Sequence, residues 1–321
     1  MCKKRMRLVG LVGLIVVLLF ALSFPLVAAE KHYLFGVSQP TFNHPIRQAH
    51  YWAAKLWQKD HPNVEFIFTD AQKNAAQQIR DVENLMARHV DVILIAEHLA
   101  GSTNRVLKQA RAMGIHVIAF DRVLTDPTIP ESTIAADDRE MGRLCGQYIV
   151  ERLKKDKGEV KGNLVIIQAP EGVEVGIRRR EGLHDVIDKY PGIKILTQQV
   201  GNWQRAIALQ VMENVLRGFP NIDVVYCDND EMALGAIKAI KEAGRQNEIF
   251  VVGIDGEKAG LEAIMRGEYA FTVKKTLEFP TALDIALKVV KGEEVPKRIN
   301  LPLIGVSEEN VEEVYDPFAL F

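Results

Sequence analysis

Short runs of apolar, mostly β-branched residues alternate along the chain with longer segments in which apolar residues recur every three or four positions. The short runs are typical of strands buried on both faces, and the longer segments are typical of amphipathic helices. Strands that alternate with helices indicate βαβ units and parallel sheets, so we predict an α/β fold. The predicted strands cover residues 33–37, 64–69, 92–96, 116–120, 164–167, 193–198, 224–227, 250–254 and 301–306.

The strand–helix pattern restarts near residues 133–138, after the turn-rich stretch 125–130. Helical segments again separate the later strands, and a further helix is predicted over 279–290. Two successive series of this kind predict two doubly wound lobes of similar size. A cleft between two such lobes is the natural place for a ligand.

Residues 1–29 have the pattern of a secretory signal. Basic residues lie within positions 1–7, an uncharged apolar stretch covers 8–24, and Pro25 precedes the small residues at 27–29. This order predicts cleavage after Ala29 and an exported protein that is periplasmic or otherwise extracytoplasmic. A retained membrane anchor is the alternative, because the run from residue 8 to residue 29 is just long enough to span a bilayer.

The charge balance argues against nucleic acid as a partner. The chain has 40 basic and 42 acidic residues, and the first 29 residues hold four of the basic ones and no acid. The remainder is therefore mildly acidic, whereas phosphate backbones are bound by basic surfaces. Of the three cysteines, Cys145 and Cys227 lie beyond residue 29, and we interpret them as buried free thiols rather than a disulfide.

Polar side chains follow the predicted strands. In open parallel sheets ligands bind beyond the carboxyl ends of the strands, so these side chains are expected to face one cleft. Carboxylate, amide and guanidinium groups can each hold two adjacent hydroxyls, which favours a sugar or polyol. The strand-end residues are Asp70, Glu97, Asp121, Arg122, Gln168, Asn229, Asp230 and Asp255.

Motifs of the common catalytic sites are missing from the sequence. It contains no P-loop, no dinucleotide fingerprint after the first strand, no zinc-protease helix and no nucleophile elbow. The histidines do not have the spacing of metal ligands. We therefore expect no catalytic residue, no metal site and no cofactor.

Three runs carry a family resemblance: V-I-A-F-D-R at 117–122, N-D-E-M-A-L-G at 229–235 and V-V-G-I-D-G at 251–256. Together they resemble the ribose-binding group of type I periplasmic solute-binding proteins, which serve sugar ABC transporters. The likeness covers about residues 32–310. It implies two Rossmann-like lobes, joined by three hinge strands, that close on one sugar. We assign residues 30–136 plus 276–302 to the N-terminal lobe and 137–275 plus 303–321 to the C-terminal lobe.

The resemblance also implies a set of ligand contacts, with Trp203 as the aromatic residue that stacks on the sugar ring. Arg178 and Arg180 flank the implied arginine and leave its register open by one position. Trp203 could instead only pack between the lobes, and Asn229 could only cap the following helix. The implied contacts are Asp121, Arg122, Arg179, Trp203, Asn229 and Asp255.

The sequence departs from the family pattern near the first strand and at the last hinge. Ile46 and Arg47 stand where the family has two stacking aromatics, His44 replaces an asparagine, and Lys275 replaces a glutamine. We hypothesise that His44, Arg47 and Lys275 join the other arginines in the cleft and bind a carboxylate or phosphate of the ligand. Alternatively, Arg47 and Lys275 face solvent or pair internally. Glu97 and His98 are second-tier candidates.

The sequence therefore predicts an exported, non-enzymatic solute-binding protein, expected to be a monomer. It would capture a sugar-like ligand and deliver it to an ABC permease. The alternative is a sensory protein that presents its closed form to a histidine kinase or chemoreceptor. A sugar-responsive repressor is excluded, because residues 1–29 form a signal where a DNA-binding domain would stand.

Overall fold

The computed structural model describes residues 31–321. The predicted signal peptide, residues 1–29, lies outside the described residues. Across the described range, no helix combines the length and apolarity needed to cross a membrane.

Twelve strands within residues 31–321 form two sheets, with the strand orders β11-β5-β4-β3-β1-β2 and β12-β10-β9-β8-β6-β7. Neighbouring strands are parallel, except that β12 runs antiparallel to β10. The strands are β1 Tyr33–Gln39, β2 Val64–Asp70, β3 Val92–Ile95, β4 His116–Phe120, β5 Ser132–Ala135, β6 Gly162–Gln168, β7 Ile193–Val200, β8 Val224–Cys227, β9 Phe250–Asp255, β10 Phe271–Lys275, β11 Arg298–Asn300 and β12 Leu303–Val306.

Helices cover the faces of both sheets, which explains why the central strands are apolar almost throughout. They are α1 Pro45–Trp57, α2 Ala75–Ala87, α3 Asn104–Ala112, α4 Asp138–Lys157, α5 Glu174–Ile187, α6 Arg205–Gly218, α7 Asp230–Glu242, α8 Lys258–Met265, α9 Phe279–Val290 and α10 Val311–Val314. The α/β class and the two parallel-dominated sheets confirm the predicted fold class.

The predicted final strand is wrong in one respect. The stretch 301–306 is not continuous, because Leu301 and Pro302 lie between β11 of the first sheet and β12 of the second. Proline has no backbone N–H to donate to a ladder, and the chain changes sheets at this point. The predicted break near residues 133–138 overlaps a short strand, β5, which covers 132–135 and pairs with β4 and β11.

The chain passes between the sheets after β5, after β10 and after β11. Each lobe contains one of the two sheets. We therefore propose the lobe boundaries given above, residues 30–136 plus 276–302 for the N-terminal lobe and residues 137–275 plus 303–321 for the C-terminal lobe. Cys145 and Cys227 are buried free thiols, as interpreted from the sequence. The Cys145 thiol donates to the carbonyl of Gly253 at 3.3 Å.

Candidate ligand-binding site

A cavity of about 350 Å³ opens where the carboxyl ends of strands from both sheets meet. Its volume is within the range of small-molecule sites. Every residue proposed as a ligand contact lines it: His44, Arg47, Asp121, Arg122, Arg179, Trp203, Asn229, Asp255 and Lys275.

Asp121 follows β4 and holds two cations that arrive from different parts of the chain. Its carboxylate accepts from the Arg47 guanidinium and from Lys275 Nζ, the latter at 2.7 Å. Burial alone would raise the pKa of Asp121, but the charges of Arg47 and Lys275 hold it well below its usual value. The backbone of Asp121 has a positive φ of 62°, a conformation that is uncommon for residues other than glycine.

Arg122 supports the wall of the cavity beside Asp121. Its Nη1 donates to the carbonyls of Glu97 and His98, at 2.6 and 2.8 Å, and so holds the loop that follows β3. Burial lowers the pKa of Arg122 to about 10, and the nearby Arg47 adds to this effect. The Glu97 carboxylate turns away to accept from the N–H groups of Gly101 and Thr103.

The three successive arginines of α5 differ in burial and in their partners. Arg179 is 3% exposed, whereas Arg178 forms surface ion pairs and Arg180 binds the buried Asp228. Arg179 donates to the Asp228 carbonyl at 2.6 Å, to Asp255 Oδ1 at 3.1 Å and to Asp138 Oδ1 at 3.0 Å. These three acceptors fix the guanidinium at the wall of the cavity.

Trp203 provides the aromatic surface of the site. It lies in the loop before α6, and both Asn202 and Trp203 have positive φ values, 57° and 59°. Its ring is partly buried against the core of the second sheet, and the Arg179 guanidinium lies 5.7 Å from the ring centroid. The indole therefore both packs on the lobe and lines the cavity.

Asn229 caps α7 and also faces the cavity. Its Oδ1 accepts from the Met232 N–H at 3.0 Å, and its Nδ2 lies 3.2 Å from His44 Nε2. The capping and cavity-lining roles thus coexist in one side chain. Asp255, which ends β9, completes this wall with a φ of 126°.

The cavity cations are compensated by acids of the protein. Arg47 and Lys275 both pair with Asp121, and Lys275 Nζ also lies 3.8 Å from Glu278 Oε1. Arg179 pairs with Asp255 and Asp138. Arg47 and Lys275 therefore pair internally, so their charges are compensated without an anionic ligand group.

Several lining residues were not singled out from the sequence. They are apolar or lie in loops whose path is not predictable from periodicity: Pro40, Thr41, Lys73, Pro170, Val173, Val175 and Asn202. Asp138, which supports Arg179, was also missed. Asp138 is the first residue of the helix that follows the break between the lobes, and this position could have marked it as a residue near the cleft. Of the second-tier candidates, His98 lines the cavity.

Comparison with known proteins places this geometry in a family. A family model described as the periplasmic binding protein domain matches residues 35–294. The chain belongs to this family. The xylitol-binding protein of Mycolicibacterium smegmatis is 34% identical over 253 residues, 78% of this chain and 70% of that protein. The ribose import binding protein of Bacillus subtilis is 29% identical over 276 residues, 85% and 87% of the two chains.

Solved structures of periplasmic binding proteins have the same fold. A solute-binding protein of Bacillus halodurans with bound myo-inositol matches with a TM-score of 0.83 at 29% identity, over 90% of this chain and 99% of that one. The fructose binding periplasmic domain of a hybrid two component system matches at 0.81 and 29% identity, over 88% and 93%. The predicted resemblance to type I solute-binding proteins is confirmed, and members of this family are exported binding proteins rather than enzymes.

Proposed function

We propose that this chain is an exported solute-binding protein that captures one neutral sugar or polyol between its lobes and delivers it to an ABC permease. The observation that carries this proposal is the cavity itself. One indole face, several apolar side chains and fixed polar groups from both sheets surround a volume of about 350 Å³.

The assigned roles follow from the side chains. Trp203 stacks on an apolar face of the ligand, and its neighbour Arg179 donates to hydroxyls. Asp121 and Asp255 accept from hydroxyls, while His44, Arg47, Arg122, Asn229 and Lys275 contribute donors.

A neutral ligand is favoured because the cations Arg47, Arg179 and Lys275 already contact carboxylates. An added anion would have to compete with those carboxylates in a desolvated space. The relatives named for xylitol and ribose, and the one solved with myo-inositol, bind uncharged polyhydroxy compounds.

A thermal-shift screen of the chain purified after export tests the proposal. The panel contains neutral sugars and polyols, including xylitol, D-ribose and myo-inositol, with sugar acids and sugar phosphates as the comparison. A specific ligand raises the melting temperature by linkage, by an amount that grows with its concentration above Kd. We expect a neutral compound to stabilise the protein. Stabilisation only by acids or phosphates contradicts the neutral ligand, and no stabilisation by any member contradicts sugar binding.

Sensing is the second candidate function, favoured by the similarity to the periplasmic domain of a two component system. Transport and sensing use the same ligand-binding step and differ in the partner of the ligand-bound form. Growth on the identified ligand after deletion of the gene separates them: loss of uptake supports transport, whereas intact uptake with loss of induction supports sensing. We also propose cleavage after Ala29, which the mass of the exported chain tests.

A further inference from the structure

His44 and Asn229 meet across the cavity from the two sheets. His44 precedes α1, which packs on the first sheet, and Asn229 precedes α7, which packs on the second sheet. His44 Nε2 and Asn229 Nδ2 are 3.2 Å apart, within hydrogen-bond distance. The contact therefore exists only when the two walls are close together.

The hydrogen-bond network determines which atom donates. Asn229 Oδ1 accepts from the Met232 N–H at 3.0 Å, so the amide orientation is set and Nδ2 faces His44 as a donor. His44 Nε2 must then present a lone pair. A neutral imidazole carries its one proton on Nδ1 in this case. A protonated imidazole would place an N–H against the Asn229 N–H.

The other ring nitrogen has unused hydrogen-bonding capacity. Among the described residues, three buried nitrogen atoms of this wall have no hydrogen-bond partner: His44 Nδ1, Arg47 Nη1 and Arg122 Nε. All three are N–H donors once His44 is neutral. A ligand oxygen at this wall satisfies them, whereas a ligand donor does not.

Charges around His44 also favour its neutral form. Arg47 from α1, Lys275 from β10 and Lys73 from the loop before α2 act on it, and Asp121 opposes them. Burial, followed by Arg47, lowers the pKa of His44 to about 3. In an opened cleft a solvated imidazole has its ordinary pKa of about 6.5.

We propose that His44 is a pH-sensitive latch across the cleft: its neutral ring accepts from Asn229 through Nε2 and donates through Nδ1 to an oxygen of the bound ligand, and protonation of Nε2 breaks the contact with Asn229 and so favours opening. The proposal rests on the binding function above, because the latch acts on closure around a ligand. It makes the ligand affinity depend on the protonation of His44, which a residue that only lines the cavity would not do.

Linkage gives the size and sign of the effect. The open form binds the His44 proton more tightly than the closed form, so acid favours opening and raises the Kd. The Kd rises about tenfold per pH unit below roughly 6.5, which amounts to about 30-fold between pH 7.5 and 5.0.

Isothermal titration calorimetry with xylitol, D-ribose and myo-inositol at pH 7.5 and 5.0 tests the latch on the exported chain. The quantity compared is the ratio of the two Kd values. We expect the ratio for wild type to be about 30 times the ratio for His44→Gln, whose amide oxygen can accept from Asn229 without binding a proton in this range. Asp138, with a pKa raised to about 6 by burial, titrates in both proteins, so the difference isolates His44.

Two further variants make the test directional. Asn229→Asp keeps an N-cap but turns the donor into an acceptor, so the closed form then favours a protonated His44. We expect its Kd ratio to fall well below that of wild type. His61→Gln removes a histidine stacked on Trp57, outside the cavity, and is expected to keep the wild-type ratio.

The two failures are distinguishable. If a probe binds but wild type and His44→Gln have the same Kd ratio, the latch is overturned and the binding function stands. If no probe binds wild type at pH 7.5, the proposed binding of such ligands is overturned, and the latch with it.

Discussion

At the scale of single residues, the site depends on charged groups that are buried in compensating pairs. Asp121 is the centre of this arrangement, since it contacts both Arg47 and Lys275. Its positive φ places the carboxylate where both cations can reach it. Such strained residues persist when the surrounding contacts enforce them, and they concentrate at ligand sites.

Replacing Asp121 with asparagine is expected to lower the free energy of unfolding by roughly 3 kcal/mol at neutral pH, because two buried cations lose their counter-charge. Asparagine tolerates the positive φ, so the backbone is preserved. The pKa of Asp121 is depressed, so its contribution is fully present above the unfolded value of about 3.8 and is lost as the pH falls below it. The wild-type advantage should therefore persist from pH 7 to pH 4.

Urea unfolding at pH 7 and pH 4 measures this difference. Asp70→Asn is the matched control, because Asp70 also ends a strand but its carboxylate accepts from the backbone N–H of Gln72 rather than from buried cations. Equal stability of the Asp121 and Asp70 variants would contradict the stabilising role of the buried pairs.

At the scale of elements, the packing of α4 on α5 positions Arg179. A Cβ added at Gly142 of α4 would lie 1.8 Å from the Arg179 carbonyl oxygen, and one added at Gly182 of α5 would lie 1.8 Å from the Arg139 carbonyl oxygen. Each helix therefore has a glycine at the point where the backbone of the other helix comes closest. This close approach holds the first turns of α5 near the cavity, with Arg179 facing inward.

Gly182→Ala should force the two helices apart, because each added methyl contact is with backbone that cannot rotate away. We expect a loss of about 3 kcal/mol in the free energy of unfolding and a weaker affinity for the ligand found in the screen. Chemical unfolding and calorimetry measure the two effects.

Gly218→Ala, at the end of α6, is the control, since nothing lies within 4 Å of an added Cβ there. It should be neutral or stabilising by up to about 1 kcal/mol. A Gly182 variant as stable as the Gly218 variant would show that the helices separate at little cost.

At the scale of the whole molecule, both sheets contribute to one cavity, and the chain crosses between them three times within the described residues. Lys275 ends β10 at one crossover and pairs with Asp121 of the other sheet. The His44–Asn229 contact is a second link. A ligand held by groups of both walls must favour the closed arrangement over an open one.

Small-angle X-ray scattering tests this closure. A saturating concentration of the ligand found in the screen should decrease the radius of gyration of the exported chain. A sugar that does not stabilise the protein, added at the same concentration, should leave it unchanged. An unchanged radius with the bound ligand would show that binding does not require closure.

Much of this protein is determined by local sequence pattern. The apolar runs predicted the central strands, because a strand covered on both faces has no polar alternation. Motifs around Asp121, Asn229 and Asp255 predicted which strand ends meet, since parallel strands place their carboxyl ends at one edge. The weak points were short strands such as β5 and the sheet change at Pro302, where pairing partners are distant in sequence.

Only the tertiary structure decided how the polar residues are used. Whether Arg47 and Lys275 needed an anionic ligand depended on where Asp121 lay in space, and no spacing along the chain encodes that distance. Which of Arg178, Arg179 and Arg180 is most buried depended on the side of α5 that faces the sheet. The contact of His44 with Asn229 joins residues that are 185 positions apart in the sequence. Charge pairing and hydrogen bonding are set by through-space geometry, whereas periodicity records only which face of an element is buried.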